Sequence, residues 1–518
     1  MSALYEDLLL RIFLENTYAG PHFPLTRNPR QSPLTTARHC SQVCRQWRSI
    51  FLSSSLIWGR LIDLDGLMVT TDNWRKEIFT RTGEAVLWVY GSVNNDVWGF
   101  LSPFLQKNWR RVQIFVVRDI NPRAMTLLSL QQEMWAFLKE AAPQLCRINV
   151  KQRISSISGL PTRSLFGDDA PLLKDFRMLH KFQTNASWLS NLSSISFPPA
   201  FNMDEVLTTL QRMPRLEYLT VFNLGSDIPQ ALKQVPKLVL PNLRMLKIQA
   251  NVHDTCVLLE CITASPDCCL AIQGSLGSRP AQDNGGNTQY ENAVKSYIMP
   301  FFALHPPSAL KFSIKGDLLV LEDPTPPIPR SNAWVRCFCI VLDISSLLSS
   351  SLIKELISSP WVPYISKFEF YAHRSSEHPD GLNNGAVISA LDTFSSSAMI
   401  LRTNDETLRQ LLERPLSYTS TLFPHLITLN VNCPWRYPPV EEDPPDHEFL
   451  KLRKAIGRPV SVLDLGVLTN KPADMGYLEE HVGLLVKWET WDGHRREYLC
   501  GEGHPERLRF SIESVLMN

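Results

Sequence analysis

The residue types best suited to chemistry in this sequence are a histidine and four cysteines near the middle of the chain. They fall within 17 residues and are His253, Cys256, Cys261, Cys268 and Cys269. Thiolate and imidazole are preferred ligands of Zn²⁺, but a zinc site usually takes two ligand pairs at short spacing. Cys256 and Cys261 fall instead on a predicted helix among apolar residues. We therefore predict buried free thiols and no metal site.

A second group of reactive side chains lies near the end of the sequence. Its members are His481, Asp492, His494, Cys500 and His504. Imidazole, thiol and carboxylate groups support acid-base or thiol chemistry only when the fold brings them together, and nothing in their spacing fixes such a geometry. The sequence also lacks a phosphate loop, a dinucleotide fingerprint, a nucleophile elbow and a zinc-protease motif. We predict a protein that is not an enzyme and takes no cofactor, and a hydrolase is the weakest hypothesis.

Large apolar side chains at helical spacing near the N-terminus are suited to binding another protein. Leu4, Leu8 and Ile12 recur every four residues with Phe13 beside them, which predicts a short amphipathic helix. The glycine and prolines between Asn16 and Gln31 predict a loop after this helix.

A second helix of about five turns is predicted after this loop. Ser32 is suited to cap it and Pro33 to occupy its first position. The apolar residues at helical spacing along it are Ala37, Cys40, Val43, Trp47 and Phe51. Leu56, Ile57 and Trp58 then form an apolar patch that can fold back on both helices. We predict a small helical module over residues 1 to 65.

Three strings in this module resemble the three helical pieces of an F-box, most closely those of the expanded fungal F-box-like families. They are LYEDLLLRIFL at 4 to 14, SQVCRQWRSIF at 41 to 51 and SLIWGRL at 55 to 61. The resemblance implies docking onto the Skp adaptor of a cullin-based ubiquitin ligase through large apolar anchors. The positions that would carry this contact are Leu4, Leu8, Ile12, Val43, Trp47 and Trp58.

The same side chains have a second interpretation. Val43, Trp47 and Trp58 are equally suited to form the core of so small a module. The alternative to a ligase adaptor is therefore a non-ligase interaction scaffold, in which the module only caps the domain that follows.

Downstream of the module, one short apolar pattern recurs. In each copy, two residues separate the first apolar residue from the second, and one residue separates the second from a third apolar residue. This pattern is typical of a short strand after a loop. The copies begin at Trp109, Leu145, Leu173, Leu192, Leu216, Leu243, Ile365, Leu426 and Val460. Up to Leu243 their spacing ranges from 19 to 36 residues, around the period of leucine-rich repeats.

Helical segments are predicted between these strands, for example from Met203 to Arg212 and from Asp254 to Thr263. Strands that alternate with helices imply parallel pairing. We predict an α/β fold, with an irregular leucine-rich-repeat-like solenoid from 66 to 478 and a capping segment from 479 to 518.

Composition sets limits on partners and compartment. The formal net charge of +1, from 52 Lys and Arg against 51 Asp and Glu, gives no overall attraction to nucleic acid or membrane. The 11 cysteines are dispersed, and no signal peptide or membrane span is recognised. We expect reduced thiols and a cytoplasmic or nuclear protein. The leading hypothesis is a ligase adaptor that binds the Skp adaptor through its module and an unknown target through its solenoid.

Overall fold

The computed structural model describes residues 5–17, 33–120, 135–151, 165–178, 180–224, 237–273, 284–316, 318–324, 338–343, 350–373, 382, 384–431, 444–467, 473–490 and 493–510. The chain divides into two compact units. Unit 1 comprises Met1–Cys268 and Pro327–Val335, and unit 2 comprises Cys269–Pro326 and Arg336–Asn518. The predicted boundaries after residues 65 and 478 stay predictions.

Unit 1 begins with helices and continues with short strands, which are separated by α-helices or by short 3₁₀ helices such as Ala136–Lys139, Leu165–Asp168 and Ser187–Asn191. Its helices are α1 (Glu6–Asn16), α2 (Pro33–Cys40), α3 (Arg45–Ser53), α4 (Ser55–Gly59), α5 (Leu64–Met68), α6 (Asp72–Arg81), α7 (Asn95–Asn108), α8 (Met203–Leu210) and α9 (Val252–Cys261). Its strands are β1 (Ile62–Asp63), β2 (Leu87–Val93), β3 (Val112–Asp119), β4 (Arg147–Lys151), β5 (Asp175–Met178), β6 (Ser194–Phe197), β7 (Tyr218–Phe222), β8 (Leu238–Leu240), β9 (Met245–Gln249) and β10 (Ile262–Ala264).

The main sheet of unit 1 is parallel throughout. Its strands follow the order β1-β2-β3-β4-β5-β6-β7-β9, so that each strand is added beside the one before it. Strands β8 and β10 form a separate parallel pair. In β4, Ile148 and Val150 face the core while the residues between and beside them face outward, which is the alternation of a half-buried strand.

Unit 2 also contains both helices and strands. Its helices are α10 (Asn284–Leu304), α11 (Ser351–Ile357), α12 (Gly385–Ser395), α13 (Asp405–Leu412), α14 (Leu416–Thr419) and α15 (Pro445–Ala455). Its strands are β11 (Cys269–Ile272), β12 (Ala309–Lys315), β13 (Leu318–Glu322), β14 (Cys339–Asp343), β15 (Lys367–His373), β16 (Ile400–Thr403), β17 (Thr428–Val431), β18 (Val462–Val467), β19 (Ala473–Asp474), β20 (Leu485–Glu489), β21 (Arg495–Leu499) and β22 (Arg509–Phe510).

The sheet of unit 2 is mostly parallel. Its order is β11-β14-β13-β12-β15-β16-β17-β18-β20-β21. The antiparallel contacts in this order join β12 to β13, β13 to β14 and β20 to β21, and β19 pairs antiparallel with β22. The repeating apolar pattern implies parallel pairing and does not predict these antiparallel contacts.

The predicted α/β fold with mostly parallel strands is confirmed. Each copy of the apolar pattern coincides with a strand, in chain order β3, β4, β5, β6, β7, β9, β15, β17 and β18. The first copy is shifted by one residue: Phe115 and Val117 are the inward residues of β3, while Ile114 is half-buried. The register between β2 and β3 shifts at this point, and such a bulge exchanges the faces of the strand. Helices α8 and α9 overlap the two predicted helices, although Ile262 and Thr263, predicted as helical, belong to β10.

The single helix predicted from Pro33 to Phe51 is wrong. The structure has two helices, α2 and α3, separated by a turn. Cys44 has extended backbone angles, and its Sγ accepts the amide hydrogen of Trp47 at 3.5 Å, which makes Cys44 the N-cap of a new helix. The predicted cap, Ser32, lies outside the described residues.

Within the described ranges, no helix combines the length and the apolar character needed to cross the hydrocarbon core of a bilayer.

Candidate docking surface on the N-terminal helices

Helix α1 carries two apolar stripes that face in different directions. Leu9 and Phe13 form the inner stripe and are buried. Leu8 and Ile12 form the outer stripe, and each is 46% exposed. Residues four apart share a helix face, whereas adjacent residues lie about 100° apart around the axis. Unit 1 therefore uses one stripe for its own packing and leaves the other open to solvent.

The turn between α2 and α3 brings further apolar side chains to the surface. Val43 lies in this turn and is 63% exposed. The half-buried Trp47 ring meets the Phe13 ring edge to face, with their centroids 4.9 Å apart. Helices α1 and α3 are therefore neighbours. We call Leu8, Ile12, Val43 and Trp47 the N-terminal apolar surface.

Trp58 has a different position from the other predicted contact residues. Its side chain is buried, and its indole Nε1 donates to the carbonyl oxygen of Phe51 at 2.6 Å. The Arg81 guanidinium lies over the Trp58 ring at 5.6 Å from its centroid. This burial favours the interpretation of Trp58 as core, and a docking role for it stays a prediction. Leu4, the remaining predicted contact residue, lies outside the described residues.

Three exposed apolar residues of the N-terminal helices were missed among the sequence-derived contacts, and one of them, Leu52 on α3, is 41% exposed. Tyr5, just before α1, is 82% exposed, and Leu56 on α4 is 46% exposed although it was predicted to fold back on the helices. Its neighbours Ile57 and Trp58 are buried. A helix of little more than one turn cannot turn three successive side chains to the same side. Three successive apolar residues in a helix therefore indicate that at least one of them is exposed.

The N-terminal helices also share a core with the sheet that follows. Ile62 of β1 pairs with Val89 of β2 in parallel register. At the end of α4, a Cβ added to Gly59 would clash with the carbonyl oxygen of Val86. Leu61 and Ile62 are fully buried. Residues 1 to 65 thus contribute both an outward apolar surface and part of the packing of unit 1.

The central cysteines lie in apolar surroundings. Cys256, Cys261, Cys268 and Cys269 are buried, whereas His253 is exposed. Burial raises the pKa of Cys256 and that of Cys268 to about 12. These two thiols are therefore protonated and poor nucleophiles near neutral pH. Among the described residues, no group of three or more histidine, cysteine, aspartate or glutamate side chains has the arrangement of a metal site.

The C-terminal histidines contact groups other than Cys500. His481 Nε2 lies 3.0 Å from His447 Nδ1, and both rings are buried. His504 Nδ1 lies 3.0 Å from a carboxylate oxygen of Glu506. Burial raises the pKa of the Cys500 thiol to about 12. Asp492, also considered from the sequence, lies outside the described residues.

The buried pair of His447 and His481 predicts a stability that falls in acid. Burial, followed by His447 and Lys454, lowers the pKa of His481 below its usual value near 6.5. The unfolded chain then binds the proton more readily, so the stabilisation is full above about pH 6.5 and decreases as the pH falls below it. We expect the urea midpoint of His481→Gln to change less between about pH 7.5 and pH 5 than that of the wild type.

The control for this substitution is His253→Gln, which replaces an exposed histidine. It should retain the pH dependence of the wild type. An identical loss of stability in acid for the wild type and His481→Gln would contradict the prediction.

A scan against models of known protein families finds no match to the chain, and a search of curated proteins finds none either.

Proposed function

We propose that this chain is a substrate-recognition adaptor of a Skp/cullin-type ubiquitin ligase. The N-terminal apolar surface would bind the Skp adaptor, and the parallel sheets would form a degenerate leucine-rich-repeat-like solenoid that holds a target protein. Such a protein performs no chemistry. It raises the effective concentration of the target near the transferring enzyme.

The observation that carries this proposal is the outer stripe of α1. Leu8 and Ile12 remain exposed on a helix whose other stripe already supplies the core with Leu9 and Phe13. Val43 adds a third exposed apolar side chain on the neighbouring turn. Helix-on-helix recognition needs large apolar anchors of this kind. These residues also lie within the strings that resemble an F-box.

The solenoid part of the proposal is supported by the strand order. From β3 to β7 each strand pairs with the next in the chain, and β4, β5 and β7 carry buried residues at alternate positions. In repeat proteins each structural repeat packs against the repeat that precedes it in the chain. The antiparallel strands β13 and β14 depart from a regular repeat, which fits a degenerate version.

A second candidate function is a non-ligase interaction scaffold whose N-terminal helices only cap the sheet. It is favoured by the pairing of β1 with β2 and by the complete burial of Leu61 and Ile62. Under this function the N-terminal apolar surface would have no Skp-type partner. Direct measurement of Skp binding separates the two.

The test is a binding titration of the full chain with a purified Skp-type adaptor. We expect the wild type to bind and the double variant Leu8→Asp with Val43→Asp to lose about 100-fold or more in affinity, since a central apolar anchor contributes about 2 kcal/mol or more. Both side chains are exposed, so the substitutions should leave the fold unchanged.

The matched control is Val239→Asp, because Val239 on β8 is also 63% exposed and lies outside the N-terminal helices. It should bind like the wild type. A wild-type chain that does not bind the Skp-type adaptor would refute the adaptor function. A double variant that binds as well as the wild type would refute the assigned surface.

A further inference from the structure

The outward face of the sheet in unit 1 carries an unusual set of charges. Inward positions of its strands are apolar, as in β5, where Phe176 and Met178 are buried and the alternating residues are not. The charged outward residues on β3, β4, β5, β6, β7 and β9 are Arg118, Arg147, Lys151, Asp175, Arg177 and Lys247. This basic face therefore has five cations and a single carboxylate in a chain whose net charge is +1.

The strand registers place these cations close together. Arg118 on β3 is directly opposite Lys151 on β4. Arg177 on β5 lies in register with Asn149, two residues before Lys151. Neighbouring strands are about 4.8 Å apart, so like charges in these positions repel each other. The arrangement reduces the stability of the sheet in isolation.

The single carboxylate does not balance this face. Asp175 accepts from Arg177 Nε at 2.8 Å, and Arg147 Nε lies 3.2 Å from its other oxygen. The Asp175 carboxylate is thus shared between the guanidinium groups of Arg147 and Arg177. Partial burial, followed by Arg118, Arg177 and Lys247, lowers the pKa of the Lys151 ammonium.

The sheet of unit 2 differs in this respect. Several of its cations pair with carboxylates on adjacent strands, as Lys311 does with Glu322, Arg402 with Glu369 and Lys487 with Glu497. Cross-strand pairs of opposite charge stabilise a sheet. The excess of cations is therefore a property of unit 1 and not of every strand in the protein.

We infer that the basic face of unit 1 binds an extended acidic segment of a partner protein. From β3 to β9 the face spans five strand spacings, about 24 Å, which matches about seven residues of extended chain. This inference deepens the proposed function by naming the chemistry of its target. Binding of an acidic segment does not depend on the proposed function. Only the conclusion that the bound protein is a ligase substrate rests on it.

A protein segment fits this face better than a single-stranded nucleic acid. Nucleic acids of this kind are bound by cationic grooves that also offer exposed aromatic rings to the bases. The outward aromatic residues on these strands, Tyr218 and Phe222, are half-buried.

The test uses fluorescence anisotropy of a labelled heptaglutamate peptide with the full chain, and heptaglutamine as the neutral comparison. We expect the affinity for heptaglutamate to exceed that for heptaglutamine by about tenfold or more. The affinity for heptaglutamate should fall as the salt concentration rises from about 50 mM to about 300 mM. Arg118→Glu with Lys151→Glu should weaken heptaglutamate binding by about tenfold or more. Lys367→Glu, an exposed lysine at the start of β15, reverses the same charge in unit 2 and should have no effect.

The urea midpoint of the double variant should equal or exceed that of the wild type, because the substitutions remove like-charge contacts. If that variant does not fold, Lys247→Glu provides an independent test at the other end of the face. Equal binding of heptaglutamate and heptaglutamine, full binding by the charge-reversed variants, or tighter binding of a seven-residue oligothymidylate would overturn the inference. If the chain binds the Skp adaptor but not heptaglutamate, the inference about the acidic segment is wrong and the proposed function is unaffected.

Discussion

Deletion of residues 1 to 65 is expected to unfold unit 1 or to leave it aggregated. The deleted segment contains Ile57, Leu61, Ile62 and Leu64, all fully buried. Burial of each such side chain contributes about 1.5–3 kcal/mol, so the four together contribute about 6–12 kcal/mol. That is comparable to the whole stability of a domain, about 5–15 kcal/mol. The deletion also removes β1 and exposes the edge of β2.

The measurement is size-exclusion chromatography together with thermal melting followed by circular dichroism. The matched control is deletion of residues 1 to 53, which removes α1, α2 and α3 but retains α4 and β1. We expect this shorter deletion to destabilise unit 1 less, because the four fully buried side chains remain. A monomeric deletion of residues 1 to 65 that melts like the full chain would show that the N-terminal module is independent.

This expectation bears on how the docking function is tested. A deletion that unfolds unit 1 would abolish partner binding for a trivial reason. Substitution of the exposed residues Leu8 and Val43 avoids this problem, since neither belongs to the buried core. A module that caps the sheet and also binds an adaptor is physically consistent, because different side chains carry the two roles.

Replacement of Trp188 by alanine is expected to destabilise unit 1 by about 3–5 kcal/mol. Trp188 is 1% exposed and lies at the centre of an aromatic cluster. Its ring centroid is 5.6 Å from that of Phe166, 5.0 Å from that of Phe176 and 5.8 Å from that of Phe182. Phe176 belongs to β5, and the other rings come from the segments on either side of it. Truncation of Trp188 would leave a cavity between β5 and the segments on either side of it.

The prediction is measured as the change in the free energy of unfolding in urea, followed by circular dichroism. Trp188→Phe should cost less than the alanine substitution, because a ring remains and the buried Nε1, which has no hydrogen-bond partner within the described residues, is removed. Leu172→Ala, at a residue of the same unit that is 44% exposed, should change stability by about 0.5 kcal/mol or less. A loss below about 1 kcal/mol for Trp188→Ala would show that the cluster does not hold unit 1 together.

The repeating strands could be predicted from sequence because they depend on local alternation. Leu219 and Val221 are separated by one residue, and this spacing alone turns both side chains toward the same face of β7. The shifted register in β3 could not be predicted. Phe115 and Ile114 are both apolar, and which of them faces the core is decided by the bulge against β2.

The exposure of the candidate docking residues could be predicted only in part. Leu8, Ile12 and Val43 are exposed as a contact surface requires, whereas Trp58 is buried. An apolar residue has the same hydrophobicity whether it fills a core or binds a partner. The sequence therefore indicated which side chains were suited to contact but not which of them unit 1 would use itself.

The sequence by itself determined the alternation of short strands and helices and the presence of a helical N-terminal segment, because apolar periodicity is a local property. The tertiary structure decided the separation of the two stripes of α1, the break at Cys44 and the position of Trp58 beneath Arg81. It also decided the juxtaposition of Arg118 and Lys151, which are 33 residues apart and meet only through strand pairing. Long-range contacts depend on which surfaces meet in the folded chain, and local sequence patterns do not specify this.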